Sequence, residues 1–179
     1  MQFNFIANAQ VPSLSGRTLP VIDPSDGQPY DEIQRSSPAD LHDAVGAAQQ
    51  CLYATWRSTS AVERGRLLYR LSQLVTEHAE ELAAIEQRDC GKPTRQARAD
   101  AQALARYFEF YAGAADKLHG ETLPYQQGYS VLTWHEPHGV TGHVIPWNYP
   151  MQIFGRSVGA ALAAGNTCVV KPSEDACLS

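Results

Sequence analysis

The 179-residue chain is long enough for a sizeable hydrophobic core, and with 44% hydrophobic and 18% charged residues it is globular rather than disordered. A formal net charge of −5 leaves no basic surface for nucleic acid or anionic lipid, and the longest apolar stretch, near Val158 to Ala164, is too short to span a bilayer. Met1-Gln2-Phe3-Asn4 lacks the charged start and apolar centre of a signal peptide, so the expected compartment is the cytoplasm.

Phe3-Asn4-Phe5-Ile6 and Gln10-Val11 flank Ala7-Asn8-Ala9 and read as a short hairpin with asparagine at the turn. Leu19-Pro20-Val21-Ile22 is a strand closed by the turn cluster Asp23-Pro24-Ser25-Asp26-Gly27, and Tyr30-Asp31-Glu32-Ile33 alternates as another. From Ser37 the apolar period becomes helical. Ser37-Pro38-Ala39-Asp40 opens a helix with serine as N-cap, and the predicted stripe is Leu41, Val45, Ala48, Leu52 and Trp56. Ser60-Ala61-Val62-Glu63 has the form of a capping box. The helix it opens is expected to turn Leu67, Leu71, Leu74 and Val75 inward and Arg64, Arg66 and Arg70 outward.

A further helical segment, 80–88, ends at the breaker Asp89-Cys90-Gly91-Lys92-Pro93. A long helix is predicted over 94–118, with Leu104, Phe108, Tyr111 and Ala115 on one side. Charges on these helices read as solvated faces. After a boundary at His119-Gly120, segments 122–125 and 129–134 are strand-like. The second is either an exposed arm that pairs with another subunit or a sheet edge within the same chain.

Residues 139–174 form the most structured unit. Gly139 to Ile145 is a short β-branched strand, and Pro146 prevents it from continuing as a central one. Pro150 suits a first helical position, Gly165-Asn166 a stop, and Met151, Phe154, Val158 and Leu162 recur at helical spacing between them. Thr167-Cys168-Val169-Val170-Lys171 is a second strand, ended by Pro172. Two strands joined by such a helix should be parallel, which gathers Trp147, Asn148, Lys171 and Glu174 at the strand ends where open α/β sheets bind ligands.

Asn148 carries two readings: a side-chain amide donating to a developing oxyanion, or an N-cap for the helix at Pro150. Lys171 and Glu174 are spaced to contact hydroxyls such as those of a ribose, or to form an exposed ion pair. No G-x-G-x-x-G follows either strand. Cysteines 51, 90, 168 and 177 and six scattered histidines show no metal-ligand spacing, so no metal site is assigned. Cys51 and Cys168 read as inert apolar residues. Cys90, beside Lys92, is the one candidate for a lone catalytic thiolate, although no histidine is near it in sequence.

Ile145-Pro146-Trp147-Asn148-Tyr149-Pro150, Ala160-Ala161-Leu162-Ala163-Ala164-Gly165-Asn166 and Lys171-Pro172-Ser173-Glu174 together resemble the aldehyde dehydrogenase superfamily. Val21-Ile22-Asp23-Pro24, Arg64-Gly65-Arg66-Leu67-Leu68, Asp89-Cys90-Gly91-Lys92-Pro93, Tyr111 to Lys117 and Glu136 to Val140 fall in family order. The resemblance implies an α/β, three-domain fold, of which this chain holds an amino-terminal portion. Residues 1–117 would be the strand and helical part of the cofactor domain, 118–137 part of an oligomerisation arm, and 138–179 the start of a Rossmann-like NAD(P)-binding sheet.

It further implies that Asn148 donates to the oxyanion of the thiohemiacetal and acyl-enzyme intermediates. Val144, Ile145, Pro146, Trp147, Asn148, Lys171, Pro172, Ser173 and Glu174 would contact the cofactor, with Lys171 and Glu174 on the adenosine ribose. A carboxylate at Glu174 would repel a 2′-phosphate and so favour NAD over NADP. Backbone carbonyls near Val21 and Ile22, with Asp89, match a monovalent cation site in some members. The implied partners are an aldehyde substrate and further copies of the chain, as a dimer or tetramer, with no nucleic acid or membrane. The family's nucleophilic cysteine and general-base glutamate lie downstream of these motifs and match neither Cys168 nor Cys177, so the 179 residues are expected not to oxidise aldehydes alone. A non-catalytic nucleotide-binding or subunit-interaction fragment is the alternative. Exposure of Val169, Val170 and the apolar face of the connecting helix is expected to make the isolated chain prone to aggregation or partly disordered towards Ser179.

Overall fold

A computed structural model describes all 179 residues. Strands β1 (Asn4–Ile6) and β2 (Ala9–Val11) pair antiparallel with Ile6 opposite Ala9, so the turn is two residues, Ala7 and Asn8. Both have positive φ, 51° and 62°, as the primed hairpin turn requires. Ala9, expected in the turn, belongs to the strand. β3 (Thr18–Ile22) and β4 (Pro29–Gln34) form a second antiparallel pair, and in the turn after β3 the Asp23 carboxylate accepts from the Ser25 amide at 3.0 Å.

Five helices follow: α1 (Pro38–Ala54), α2 (Ala61–Glu77), α3 (Ala79–Cys90), α4 (Thr94–Ala114) and α5 (Pro150–Ala163). Ser37 and Ser60 close capping boxes with Asp40 and Glu63. Asp40 is buried and also accepts from the Leu14 amide at 2.9 Å and the Ser13 hydroxyl at 3.0 Å, so the cap ties the start of α1 to the preceding loop. These hydrogen bonds, the Leu14 amide foremost, hold its carboxyl far below the ordinary range.

Helix α4 is the hub on which α2, α3 and α5 pack. Its Ala97, Ala101, Leu104 and Phe108 are buried with Leu68 and Val75 of α2, Ala83 of α3 and Met151 of α5. Each large apolar side chain removed from water there contributes roughly 1.5–3 kcal/mol. Phe108 meets Phe154 edge-on at 6.1 Å. Approach is close because small residues stand at the crossings. A Cβ on Gly155 would lie 2.8 Å from Leu104 Cδ1, one on Gly159 2.8 Å from Tyr111 Cδ2, and one on Gly65 2.7 Å from the Ala112 carbonyl oxygen.

The helix faces differ in part from the expected stripes. In α1 only Leu52 of the apolar set is buried, while Leu41 is 56% exposed, because the helix meets little beyond the 139–171 sheet and β1. In α2 the buried line is Gly65, Leu68, Ser72 and Val75; Leu67 is 55% exposed and Leu74 is exposed as well. The apolar face of α2 is wider than its contact, and the small residues mark where α4 lies. Arg64, expected outward, turns in to donate to the Ala163 carbonyl at 3.2 Å and the Thr59 carbonyl at 2.8 Å. The predicted helix over 94–118 stops at Ala114, followed by a single 3-10 turn, Ala115–Lys117.

The strand-like segments 122–125 and 129–134 shrink to β5 (Thr122–Leu123) and β6 (Val131–Leu132), an antiparallel pair that forms a two-stranded sheet of its own. Tyr125, Tyr129, Leu132 and Trp134 project into solvent from this hairpin. β7 (Val140–Val144) and β8 (Thr167–Lys171) are parallel as expected, joined by α5.

Gly65→Ala is expected to lower the urea-unfolding free energy by about 1–3 kcal/mol, because the obstructing atom is backbone and cannot swing aside. Gly113→Ala, with open space around it, should be neutral or stabilising by up to about 1 kcal/mol through helix propensity. Equal destabilisation of both would contradict the close packing of α2 on α4.

Candidate functional site

The parallel register places Val144 opposite Lys171, and the Ile145 amide donates to the Lys171 carbonyl at 2.9 Å. Residues 146–148 and 172–174 therefore leave the sheet at one edge, the carboxyl ends of both strands. The unit is locked at its other end: Asn166 accepts from the Gly139 amide at 3.0 Å through Oδ1 and donates to the Ala161 carbonyl at 3.1 Å through Nδ2. Gly139 and Gly165, both with positive φ, make the entry and exit turns there.

At the edge Val144, Pro146, Trp147, Asn148, Lys171, Pro172 and Glu174 are exposed. Ile145 and Ser173 are buried and anchor the two turns, Ser173 by accepting from the Asp175 amide at 3.2 Å. The N-cap of α5 is Tyr149, with no side-chain cap bond, so Asn148 does not cap the helix and its carboxamide stays free in the turn. Lys171 and Glu174 form an exposed ion pair, Nζ to Oε2 at 2.6 Å, and the hydrogen bond from Lys171 holds the Glu174 carboxyl below its usual range.

A buried charge cluster lies against this turn, built from two helix carboxyls expected in solvent and a lysine from the break between their helices. Glu86 of α3 and Asp100 of α4 are both fully buried, and Lys92, from the break between those helices, is 11% exposed by side chain. The Lys92 ammonium donates to Glu86 Oε1 and to Asp100 Oδ2, the latter at 2.6 Å. Asp100 Oδ1 accepts from Gln96 and Gln152 Nε2, each at 2.7 Å. The remaining side of the ammonium faces the Tyr149 ring, 4.5 Å from its centroid. The signal was present in the spacing: Glu86 follows buried Ala83 by three, and Asp100 stands between buried Ala97 and Leu104 at three and four.

Burial pushes the Glu86 carboxyl up to about 7 despite the opposing pull of Lys92, and its Oε2 is buried without a partner. Desolvation also raises Asp100, but hydrogen bonds from Lys92 and Gln152 outweigh it and hold that carboxyl below its usual range. Below pH 7 the cluster thus balances one ammonium against one carboxylate.

Cys90 donates to the Trp147 carbonyl at 3.4 Å, and burial pushes its thiol up to about 12. That removes it as a thiolate nucleophile. Burial likewise pushes Cys177 up to about 12 and raises Cys168. Cys51, read as an inert residue of a helix, is exposed on α1. Asp89 is buried and accepts from the Tyr30 hydroxyl at 3.0 Å and the Leu178 amide at 2.8 Å. No helix is long and apolar enough to cross a membrane.

The sequence profile of the aldehyde dehydrogenase family matches residues 11–179. The chain belongs to that family. It is 46% identical over 175 residues to a hydroxyisobutyraldehyde dehydrogenase of Mycolicibacterium austroafricanum, covering 98% of this chain and 34% of the relative. Among solved structures it superposes on a candidate aldehyde dehydrogenase of Burkholderia cenocepacia with a TM-score of 0.97 and 68% identity, over 98% of this chain and 37% of that one. An NAD-dependent aldehyde dehydrogenase of Sinorhizobium meliloti matches with a TM-score of 0.93 and 33% identity, over 98% and 36% of the two chains. The chain therefore spans about a third of the length of the family members it matches. The α/β architecture expected from the sequence is that of the amino-terminal third of this fold.

The Glu86 carboxyl titrates above its ordinary 4.5, so the native state holds this proton more tightly than the unfolded chain. Its stabilising contribution is complete below pH 4.5 and is lost as pH rises through about 7. Glu86→Gln, neutral at every pH, should remove that dependence: between pH 5 and 8 the wild type should lose about 1–3 kcal/mol more than the variant in urea unfolding. Parallel pH curves would contradict the buried cluster.

Proposed function

We propose that this chain is the cofactor-holding, amino-terminal part of an enzyme that oxidises an aldehyde to the carboxylic acid with NAD. The reading is carried by the meeting, at one sheet edge, of a free carboxamide at Asn148 with the exposed Lys171–Glu174 pair. The residues present suit a dinucleotide. An exposed ion pair is worth only about 0–1 kcal/mol, so Lys171 and Glu174 are readily redirected to donate to and accept from adenosine ribose hydroxyls. Val144, Ile145, Pro146 and Trp147 line the path of the dinucleotide, and Pro172 and Ser173 form the turn that presents Glu174. The Glu174 carboxylate repels a 2′-phosphate, which favours NAD over NADP, and the NAD dependence of the Sinorhizobium meliloti relative supports the same choice.

Bound NAD supplies the two-electron acceptor. Asn148 donates its side-chain N–H to the substrate oxygen as negative charge develops there, an interaction worth roughly 3–4 kcal/mol in a preorganised site. The nucleophile is not among the half-buried thiols of these 179 residues, since Cys90 and Cys177 are held protonated. On this reading the 179 residues alone are expected not to turn over aldehydes. Residues 118–137, with Tyr125, Tyr129, Leu132 and Trp134 exposed, pair with another copy in a homo-oligomer.

Isothermal titration of the chain with NAD tests the cofactor edge. Lys171→Ala should weaken binding roughly tenfold, about 1.4 kcal/mol, and NADP should bind more weakly than NAD. Unchanged affinity in Lys171→Ala, or no heat with either nucleotide, would contradict it.

A further inference from the structure

We infer that Lys92 is a positioning residue: through its ammonium over the Tyr149 ring it holds the 146–150 turn, and so the orientation of Asn148, without touching any ligand itself. The value of holding Asn148 rests on the reading of that side chain given above, whereas the anchoring stands on geometry of its own.

The turn has little local reason to be rigid. Pro146 and Pro150 fix their own φ, but Trp147, Asn148 and Tyr149 between them are exposed, and no side chain caps α5. What holds it comes from elsewhere in the chain, on both sides of Asn148. Before it, the Cys90 thiol donates to the Trp147 carbonyl at 3.4 Å. After it, Lys92 Nζ lies 4.5 Å from the Tyr149 ring centroid. In the first turn of α5, Gln152 donates to Asp100 Oδ1 at 2.7 Å. Cys90 and Lys92 are two residues apart at the break between α3 and α4, and Asp100 binds both Lys92 and Gln152. Lys92 thus reaches the turn at Tyr149 and its neighbour Cys90 at Trp147, while Asp100 holds the adjoining first turn of α5 and Asn148 makes no side-chain hydrogen bond.

The composition of the cluster fits this role better than a purely stabilising one. Burying an ammonium with one carboxylate and a second carboxyl group incurs a desolvation cost that an apolar trio of equal volume would avoid. What such a trio would lack is a directed charge. Two of the three ammonium protons are committed to Glu86 and Asp100, which fixes the remaining one towards the aromatic face. The Gly91 conformation, φ +67°, completes the placement by carrying the chain from α3 into Lys92 in a backbone state that other residues rarely adopt.

Nitrogen-15 relaxation on the isotope-labelled 179-residue chain tests the anchor through Tyr149, which can be altered without disturbing the Glu86–Lys92–Asp100 pairs. Tyr149→Leu removes the aromatic face and should lower the backbone order parameters of Trp147 and Asn148 from about 0.85 to below about 0.6, with Leu104 and Phe108 in α4 unchanged. Tyr149→Phe, which keeps the ring, and Lys92→Arg, which keeps the cation, should retain the wild-type order. Unchanged order in the turn of Tyr149→Leu, equal loss throughout α4, or Tyr149→Phe behaving as the leucine variant would each overturn the inference. The readout follows the backbone and not turnover. A turn that loosens as described supports the anchor whatever Asn148 is later found to do, and failure of the anchor leaves the role of Asn148 to its own test.

Discussion

The contact between α5 and α4, made without side chains at Gly155 and Gly159, is the constraint on which the candidate site depends. Leu104, Tyr107 and Tyr111 fill the space that Cβ atoms on α5 would need, so the helix sits closer to the hub than larger residues would allow. Because α5 is the crossover between β7 and β8, its position fixes both strands and the edge where Asn148, Lys171 and Glu174 emerge. Arg64 adds a second tie by donating from α2 to the Ala163 carbonyl at the far end of α5. The crossover is thus gripped by packing along its length and by hydrogen bonds near each terminus.

The two ion clusters near that edge are opposite in character, and the difference is one of solvent. Lys171 and Glu174 are 60% and 59% exposed, and their pairing is cheap to break. Glu86, Lys92 and Asp100 are removed from water, where an unpaired charge is strongly destabilising, so their arrangement is fixed. A labile pair facing solvent and a fixed one behind the turn form a division suited to a ligand edge: the outer charges can exchange partners while the inner ones keep the backbone in place.

The parts of this fold that are local were legible in the sequence. Ser37 and Ser60 were readable as caps because their partners lie three residues on, and the β7–α5–β8 unit was readable because proline and glycine mark its boundaries. The parts that depend on a distant neighbour were not. The buried line of α2 runs through Gly65 and Ser72, which carry no hydrophobic signal, and Arg64 turned inward to reach a carbonyl 99 residues away. Glu86 and Asp100 looked like solvated charges because the cation that holds them stands in a helix break rather than on either helix. The strand-like 129–134 segment kept only two paired residues, since alternation alone supplies no partner strand. Asn148 is open between cap and donor in the sequence, and Tyr149 at the N-cap excludes the cap alone.

The central claim is that the carboxyl edge of β7 and β8 is a dinucleotide site built by the packing of α5. The most direct test is nitrogen-15 NMR of the labelled chain titrated with NAD, following backbone amides together with the Trp147 indole and Asn148 carboxamide. The account predicts concentration-dependent shifts confined to Val144–Asn148 and Lys171–Glu174, with the Leu104 and Phe108 amides of α4 unmoved. Shifts confined to another surface, or none at saturating NAD in a folded sample, would contradict it.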